Sequence, residues 1–360
     1  MDARILDYMQ RYKFKKVVMC NDTDTGLRAV IAIHSTALGP ATGGLRMWTY
    51  ANEQDAIFDA MRLARGMTYK YAAAGVNLGG GKAVIIGDPK KDKTEALIRA
   101  MGKFIDQLGG EYITGEDVGT TLDDMELLLM ETNHVVTLPV HAGGAGDISP
   151  ATALGSVLAT KACAQRVWGS ANLAGRTVAL QGLGVCGYKA LRLLVEQGAK
   201  VVVTDVDGDK IAAAVAEFGV TSVAPEQIYD QAVDIFAPYA LGGVINDDTI
   251  ARLQCKIVAG SANNIFAEER HGDELQARGI VYAVDYVANS GGTIFDTDRF
   301  RKGGFQPERA WANVNKVYDR MLEVFNIADA QGIAYYRAAD QVAERRIASL
   351  DAVRLLDTRR

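Results

Sequence analysis

The sequence predicts an α/β protein with two domains and a helical C-terminal segment, on three observations. Its 360 residues are enough for two separate cores. The stretch "LAGRTVALQGLGVCGYKALRLLVEQGAKVVVTDVD" reads as a strand, a glycine turn, a helix and a second strand. Beyond it the apolar runs "VDIFAP", "CKIVAG" and "IVYAV" alternate with helical or turn segments, the pattern of a parallel sheet linked by helices. A change of character between about Ile148 and Gly155 sets the predicted boundaries: a first domain over 1–147, a second over 148–330, and C-terminal helices over 331–360.

Taken in order, "KKVVMC" and "LRAVIAIH" carry the β-branched residues of strands, and "NDTDTG" between them has the composition of a turn. "ANEQDAIFDAMRLARGMTYK" is a helix: Ile57, Met61 and Ala64 recur at helical spacing, and acids occupy its first turn, where the dipole favours them. "KAVIIG" is a short buried strand, and an amphipathic helix follows from about Lys93 to Leu108. "YITGEDVGTTLDD" places Asp117 after a strand and among glycines, and "HAGGAGDISP" is a flexible crossing into the second domain. A helix then runs to about Val167, and from about Glu308 the chain is helical almost to its end.

Composition excludes several classes. A net charge of -5 with interspersed basic residues argues against nucleic acid, which needs a concentrated positive surface. No apolar run reaches ~18 residues, so no membrane span is expected, and the N-terminus lacks a signal-peptide core. Cys20, Cys163, Cys186 and Cys255, like His34, His134, His141 and His271, are scattered without metal-ligand spacing. The expectation is a soluble cytoplasmic protein with reduced thiols and no metal.

Two motifs carry chemistry. "ALQGLGVCG" is a G-x-G-x-x-G fingerprint formed by Gly182, Gly184 and Gly187, directly after a strand and opening a helix at Val185. Asp205 closes the next strand about 20 residues on, the spacing at which an acid meets a ribose. Its carboxylate would repel the 2′-phosphate of NADP, so NAD is the predicted cofactor. The second motif, "YKYAAAGVNLGGGKAVIIG", has Lys70 and Lys82 around small residues. It is no phosphate loop: Ala83 stands where the hydroxyl should be and Val76 where the first glycine should be. Alternatively, a cleft between the domains could collect both lysines. Burial and a neighbouring ammonium would then lower a pKa, so that one lysine grips a carboxylate while the other works as an acid or base. Solvated ends of a strand and a helix remain the plainer reading of either lysine. Asp117 could orient a lysine or pass a proton.

The words "GPATGGLRMWTY", "RLARGMTYK", "NLGGGKAVIIGDP", "GEDVGT", "GGVINDDTI", "GSANN" and "VDYVANSGG", with the fingerprint, span essentially the whole chain. Through them it resembles the leucine, valine and phenylalanine dehydrogenases, the amino-acid dehydrogenase family that includes glutamate dehydrogenase; a tryptophan dehydrogenase branch is also similar. The resemblance implies a mixed-sheet substrate domain first, a Rossmann-like NAD domain second, and C-terminal helices returning to the cleft. It implies NAD-dependent, reversible oxidative deamination of an L-amino acid to its 2-oxo acid and ammonia, in a homo-oligomer. By similarity Lys70 binds the substrate carboxylate with help from backbone near Gly43 and Gly44. Lys82 activates water at the imine carbon, and Asp117 is its proton-transfer partner. Asn263 lies near the nicotinamide ribose and substrate amine, Thr152 contacts the nicotinamide amide, and Val185 and Ala240 complete the cofactor set.

The sequence departs from the family where side-chain specificity is set. Thr42 replaces a branched residue, and Gly115 replaces an alanine, which suggests more room. "TIFDTDRF" stands where the family reads close to "VINVADEL", so Thr293 and Asp296 occupy positions of apolar pocket wall. Asp296 has two readings: it faces the pocket, favouring a substrate with a polar or basic side chain, or the segment has shifted and Asp296 is solvated. Tyr239 in "APYA" is bulkier than the usual cysteine. The competing functions are a relative specialised for a large, polar or basic non-standard amino acid, and a non-catalytic NAD-binding protein.

Overall fold

The computed structural model describes residues 4–354 and divides the chain into two compact units. One comprises the chain up to Asp147 with Arg299–Phe305 and the chain from Ala343; the other comprises Ile148–Asp298 and Gln306–Val342.

The first unit is built on a mixed sheet. Strands β1 (Lys16–Asp22) and β2 (Leu27–Ser35) form an antiparallel hairpin running from Lys16 opposite Ile33 to Asp22 opposite Leu27. Its turn is held by the Asp22 carboxylate, which accepts from the Asp24 amide and the Thr25 hydroxyl, both at 3.1 Å. Strands β3 (Ala41–Thr42), β4 (Leu45–Trp48), β5 (Gly79–Ile86) and β6 (Tyr112–Ile113) complete the sheet in the order β1-β2-β5-β3-β6, with β4 also on β5. Among the described residues of this sheet only the β1–β2 and β2–β5 pairs are antiparallel. Alternation along β5 feeds two cores. Ala83 and Ile85 join Met101, Ile105 and Tyr112 on the side of helix Glu95–Asp106, and Val84 joins Ile57, Ala60 and Met61 of helix Glu53–Ala73.

β5 starts three residues before the predicted "KAVIIG", so all three glycines are strand residues. The reason is the closeness of the overlying helix. A Cβ on Gly80 would lie 2.1 Å from Thr68 Oγ1 and 2.4 Å from the Ala64 carbonyl oxygen, and one on Gly81 would lie 2.7 Å from the Tyr112 ring. The run is a packing surface for a helix and a ring.

The second unit contains a wholly parallel sheet: β7 (Thr177–Gln181), β8 (Lys200–Thr204), β9 (Thr221–Ser222), β10 (Ile235–Pro238), β11 (Ile257–Val258) and β12 (Val281–Tyr282). The order β12-β11-β10-β7-β8-β9 reverses direction between β7 and β10. This is the doubly wound order, in which ligands bind beyond the strand ends at the reversal. Helix Ser149–Trp168 packs through Gly155 against the backbone of Ala288 and Gly291. The chain then runs through helices Pro307–Asn315, Val317–Gln331 and Tyr335–Arg354. Among the described residues no helix is long and apolar enough to cross a membrane.

Candidate active site and cofactor site

In the first unit Lys82 pairs with Ala32 of β2 and shares its side of β5 with Val84, the side covered by helix Glu53–Ala73. Its side chain is 5% exposed and its Nζ lies 2.8 Å from Asp117 Oδ1. Asp117 sits in the loop after β6, which is pinned to β4: the Leu45 amide donates to the Gly115 carbonyl and Thr120 Oγ1 to the Leu45 carbonyl. The second oxygen of Asp117 accepts from Arg46 Nε at 2.8 Å. Arg46 reaches on through Nη1 to Asp59 at 2.9 Å, and Asp59 also accepts from Tyr50 at 2.7 Å and Arg62 at 2.8 Å. Burial lowers the pKa of Lys82 and the negative charge of Asp117 only partly offsets this, so the amine loses its proton more readily than an ordinary lysine. Burial alone would raise Asp117, but Lys82 and Arg46 outweigh it and hold the carboxyl below its usual range.

Lys70 is half-buried in the last turn of helix Glu53–Ala73. Thr68, in the same turn, packs on Gly80, so this end of the helix lies on the strand segment leading into Lys82. Thr42 is fully buried and its hydroxyl donates to the Pro40 carbonyl. The Gly43 amide donates to the Ile113 carbonyl at 3.1 Å, so any help for a carboxylate from this segment comes from other backbone groups near Gly43 and Gly44. Its carbonyl accepts from Tyr112 at 2.6 Å, and that of Gly44 from the Ala83 amide at 3.3 Å. A Cβ on Gly44 would come within 2.8 Å of the Asp117 Cβ, so glycine is needed there to seat the acid. Gly115 opens no extra room in its Cβ direction, because Thr137 Oγ1 and Val136 Cγ2 fill it at 2.7 and 2.8 Å.

Arg46, Asp59, Tyr50 and Arg62 were not legible as site residues. Arg46 lies inside the quoted word "GGLRMW", and Asp59 and Arg62 look like a helix-surface pair; only the fold shows Asp59 to be 16% exposed and bonded to two arginines.

In the second unit the fingerprint forms the loop between β7 and helix Val185–Glu196. Gly182 has φ +102° and its Cβ position is closed by Ala240 and Tyr239. Gly187 packs on the Gly182 carbonyl, where a Cβ would lie 2.1 Å from the oxygen. Gly184 caps the helix without a side-chain cap and nothing lies within 4 Å of its Cβ position, so the loop is open at the helix N-terminus. The Asp205 carboxylate accepts from the Leu183 amide at 2.5 Å and the Asp207 amide at 2.9 Å, tying the end of β8 to the glycine loop. This open cradle with an acid beside it fits a dinucleotide. Val185 and Ala240 are exposed beside the loop, and Tyr239 is buried beneath it with its hydroxyl 2.8 Å from Ser156 Oγ. Thr152 is half-buried on helix Ser149–Trp168, and Asn263 is exposed with Oδ1 accepting from Asn289 at 2.7 Å.

Gly291 and Gly292 of helix Gly291–Asp296 pack against Ala151 and Thr152. Thr293 is half-buried, and its carbonyl accepts from Thr297. Asp296 is 4% exposed, which rules out the solvated reading. Asp298, which the sequence did not single out, is 2% exposed and takes Arg309 bidentately, with both contacts at 2.7 Å.

Residues 14–134 match the dimerisation domain of the Glu/Leu/Phe/Val dehydrogenases, and 143–213 with 204–297 match the Glutamate/Leucine/Phenylalanine/Valine dehydrogenase domain. A leucine dehydrogenase from Thermoactinomyces intermedius is 54% identical over 96% of this chain and 93% of its own. A phenylalanine dehydrogenase from Bacillus thermotolerans is 47% identical over 96% and 91%. The crystal structure of L-tryptophan dehydrogenase from Nostoc punctiforme superposes with a TM-score of 0.84 at 41% identity, covering 96% of this chain and 99% of that one.

Proposed function

This chain belongs to the glutamate/leucine/phenylalanine/valine dehydrogenase family and is an amino-acid dehydrogenase, and from that premise we propose how its residues divide the work. The reaction is the reversible oxidative deamination of an amino acid to its 2-oxo acid and ammonia. The observation that carries the assignment is Lys82: an amine 5% exposed, its proton loosened by burial, and aimed by Asp117 at 2.8 Å.

Neutral Lys82 takes the proton from the water that adds to the imine carbon, and as the ammonium returns it to the departing amine. Asp117, kept anionic by Arg46 also when Lys82 is neutral, orients Lys82 and stabilises its charged form. Lys70 holds the substrate carboxylate from the end of its helix, assisted by backbone of the Gly43–Gly44 segment other than the Gly43 amide. Bound NAD would supply the acceptor for the hydride leaving Cα. Its pyrophosphate would rest on the loop of Gly182, Gly184, Val185 and Gly187, its ribose hydroxyls on Asp205, and its nicotinamide half near Thr152, Ala240 and Asn263. Thr42 and Gly115 border the substrate side chain in this reading.

A homo-oligomer is proposed because residues 14–134 match a dimerisation domain and β1 is an edge strand. A cytoplasmic location is proposed because Cys20, Cys163, Cys186 and Cys255 form no disulfide. Lys82→Ala, folded by circular dichroism, is expected to lose about 10²–10⁴-fold in kcat. Near-normal turnover of that variant would reject the role given to Lys82. A panel of L-amino acids read by NAD reduction identifies the substrate.

A further inference from the structure

We propose that Arg46 and Asp59 are positioning residues that keep Lys82 and Asp117 in the state in which Lys82 is the proton acceptor. The inference rests on the reading of Lys82 as the base and goes on to say what holds it there.

The geometry is a chain of alternating charge. Lys82 takes one oxygen of Asp117, and Arg46 Nε takes the other at 2.8 Å. The same guanidinium turns Nη1 to Asp59 at 2.9 Å, and Asp59 is closed by Arg62 and Tyr50. A planar guanidinium is suited to bridging two carboxylates in fixed directions. Arg46 lies on β4, Asp59 on helix Glu53–Ala73 and Asp117 in the loop after β6, so the arginine locks three elements around one amine.

The charges around the amine bias its protonation state. Arg46 and Arg62 balance Asp117 and Asp59, so the array is neutral when Lys82 is neutral, and protonation leaves one positive charge uncompensated beside a buried amine. Arg46 disfavours the ammonium and Asp59 favours it, and these two influences act on Lys82 in addition to burial and Asp117. Other titratable groups lie around the same strands. Glu116 adjoins Asp117, Lys70 lies further along the helix, and Tyr112 lies under Gly81. His34, along β2 from Ala32, is engaged with Thr68 and the Tyr12 carbonyl. None of them changes in the variants below.

The test is the pH dependence of kcat/KM in the deaminating direction for the purified full-length enzyme. It compares Arg46→Gln, Arg46→Lys, Asp59→Asn and, as a remote control, Arg99→Gln. Removing the Arg46 charge leaves the full charge of Asp117 on Lys82, so the acidic limb moves to higher pH. Removing the Asp59 charge leaves Arg46 uncompensated, so the limb moves to lower pH. Arg46→Lys returns the limb toward wild type but, with one bond in place of two, keeps a plateau kcat about 10-fold to 100-fold low. Arg99→Gln leaves the limb in place. Opposite displacement of the limb in Arg46→Gln and Asp59→Asn supports the inference, since a purely structural defect lowers the plateau without moving the limb in opposite senses. Limbs that stay put, or move the same way, overturn it. If Arg46→Gln does not fold, the near-isosteric Asp59→Asn decides on its own. Lys82→Ala, measured in parallel, separates the two levels: normal turnover there defeats the base assignment, whereas a dead Lys82→Ala with unmoved limbs defeats only the role of Arg46 and Asp59.

Discussion

The glycine run on β5 makes a quantitative prediction. If its purpose is close packing, Gly80→Ala must displace helix Glu53–Ala73. The new methyl would stand 2.1 Å from Thr68 Oγ1, 2.2 Å from the Thr68 amide nitrogen and 2.4 Å from the Ala64 carbonyl oxygen. Two of these atoms are helix backbone, so rotamer changes cannot relieve the contact, and an ordinary separation requires a shift of about 1 Å. Overpacking of this kind costs about 1–3 kcal/mol, which lowers the melting midpoint of a unit of this size by about 2–4 °C per kcal/mol. The helix carries Lys70 and Asp59, and a misplacement of about 1 Å at a reacting centre costs on the order of 100-fold in rate. Gly66→Ala in the same helix is the internal control. Nothing lies within 4 Å of its Cβ position, so it should add about 1 kcal/mol of helix propensity and leave kinetics alone. Thermal melts and kcat/KM for the amino acid, measured on both variants, check the pair. A Gly80→Ala enzyme with wild-type stability and rate would refute the packing argument.

Two further outcomes follow from named contacts. Asp205→Asn keeps an acceptor for the Leu183 amide but removes the charge facing a 2′-phosphate, so the NADH/NADPH ratio of kcat/KM should fall by about tenfold or more; an unchanged ratio, or a wild-type enzyme that already prefers NADPH, contradicts the assignment. His34 is buried between Thr68 and the Tyr12 carbonyl, and burial lowers its pKa from 6.5 to about 4. Between those values the unfolded chain binds the proton that the folded one refuses. The contribution of neutral His34 is therefore complete above pH 6.5 and lost as pH falls toward 4, up to about 3 kcal/mol. Denaturant melts of wild type and His34→Gln should converge across that window, and parallel curves would refute the point.

Side chains with a period were readable from sequence; sheet pairing of the backbone and the pairing of charges were not. The hairpin of β1 and β2, the helix over Glu53–Ala73 and the strand–turn–helix at Gly182 follow from alternation, helical spacing and turn chemistry. Gly79–Gly81 have no pattern, since glycine has no side chain to alternate, and the strand was read from Lys82 onward. The Gly43 amide is lost to Ile113 through a sheet pairing that no composition signals. The apparent gain of space at Gly115 vanishes because Val136 and Thr137, the latter at φ +57°, fold over it. Lys82 and Asp117 stood out because charged residues among small ones are conspicuous. Arg46 did not, because a half-buried arginine in an amphipathic strand is indistinguishable in one dimension from a solvated one.

Two acids, Asp298 buried and Asp117 partly buried, show why that arginine matters. Asp298 receives both arms of Arg309 and the Gln306 amide, so its charge is fully answered and it closes a structural contact. Asp117 receives only one arm, because the other arm of Arg46 goes to Asp59. The oxygen left over is the one that holds Lys82. A carboxylate satisfied twice by one guanidinium has little left with which to aim an amine, and a buried carboxylate satisfied by none would protonate. Splitting one guanidinium between two acids keeps Asp117 ionised yet available to Lys82, which is the condition the proposed proton exchange at that amine would need.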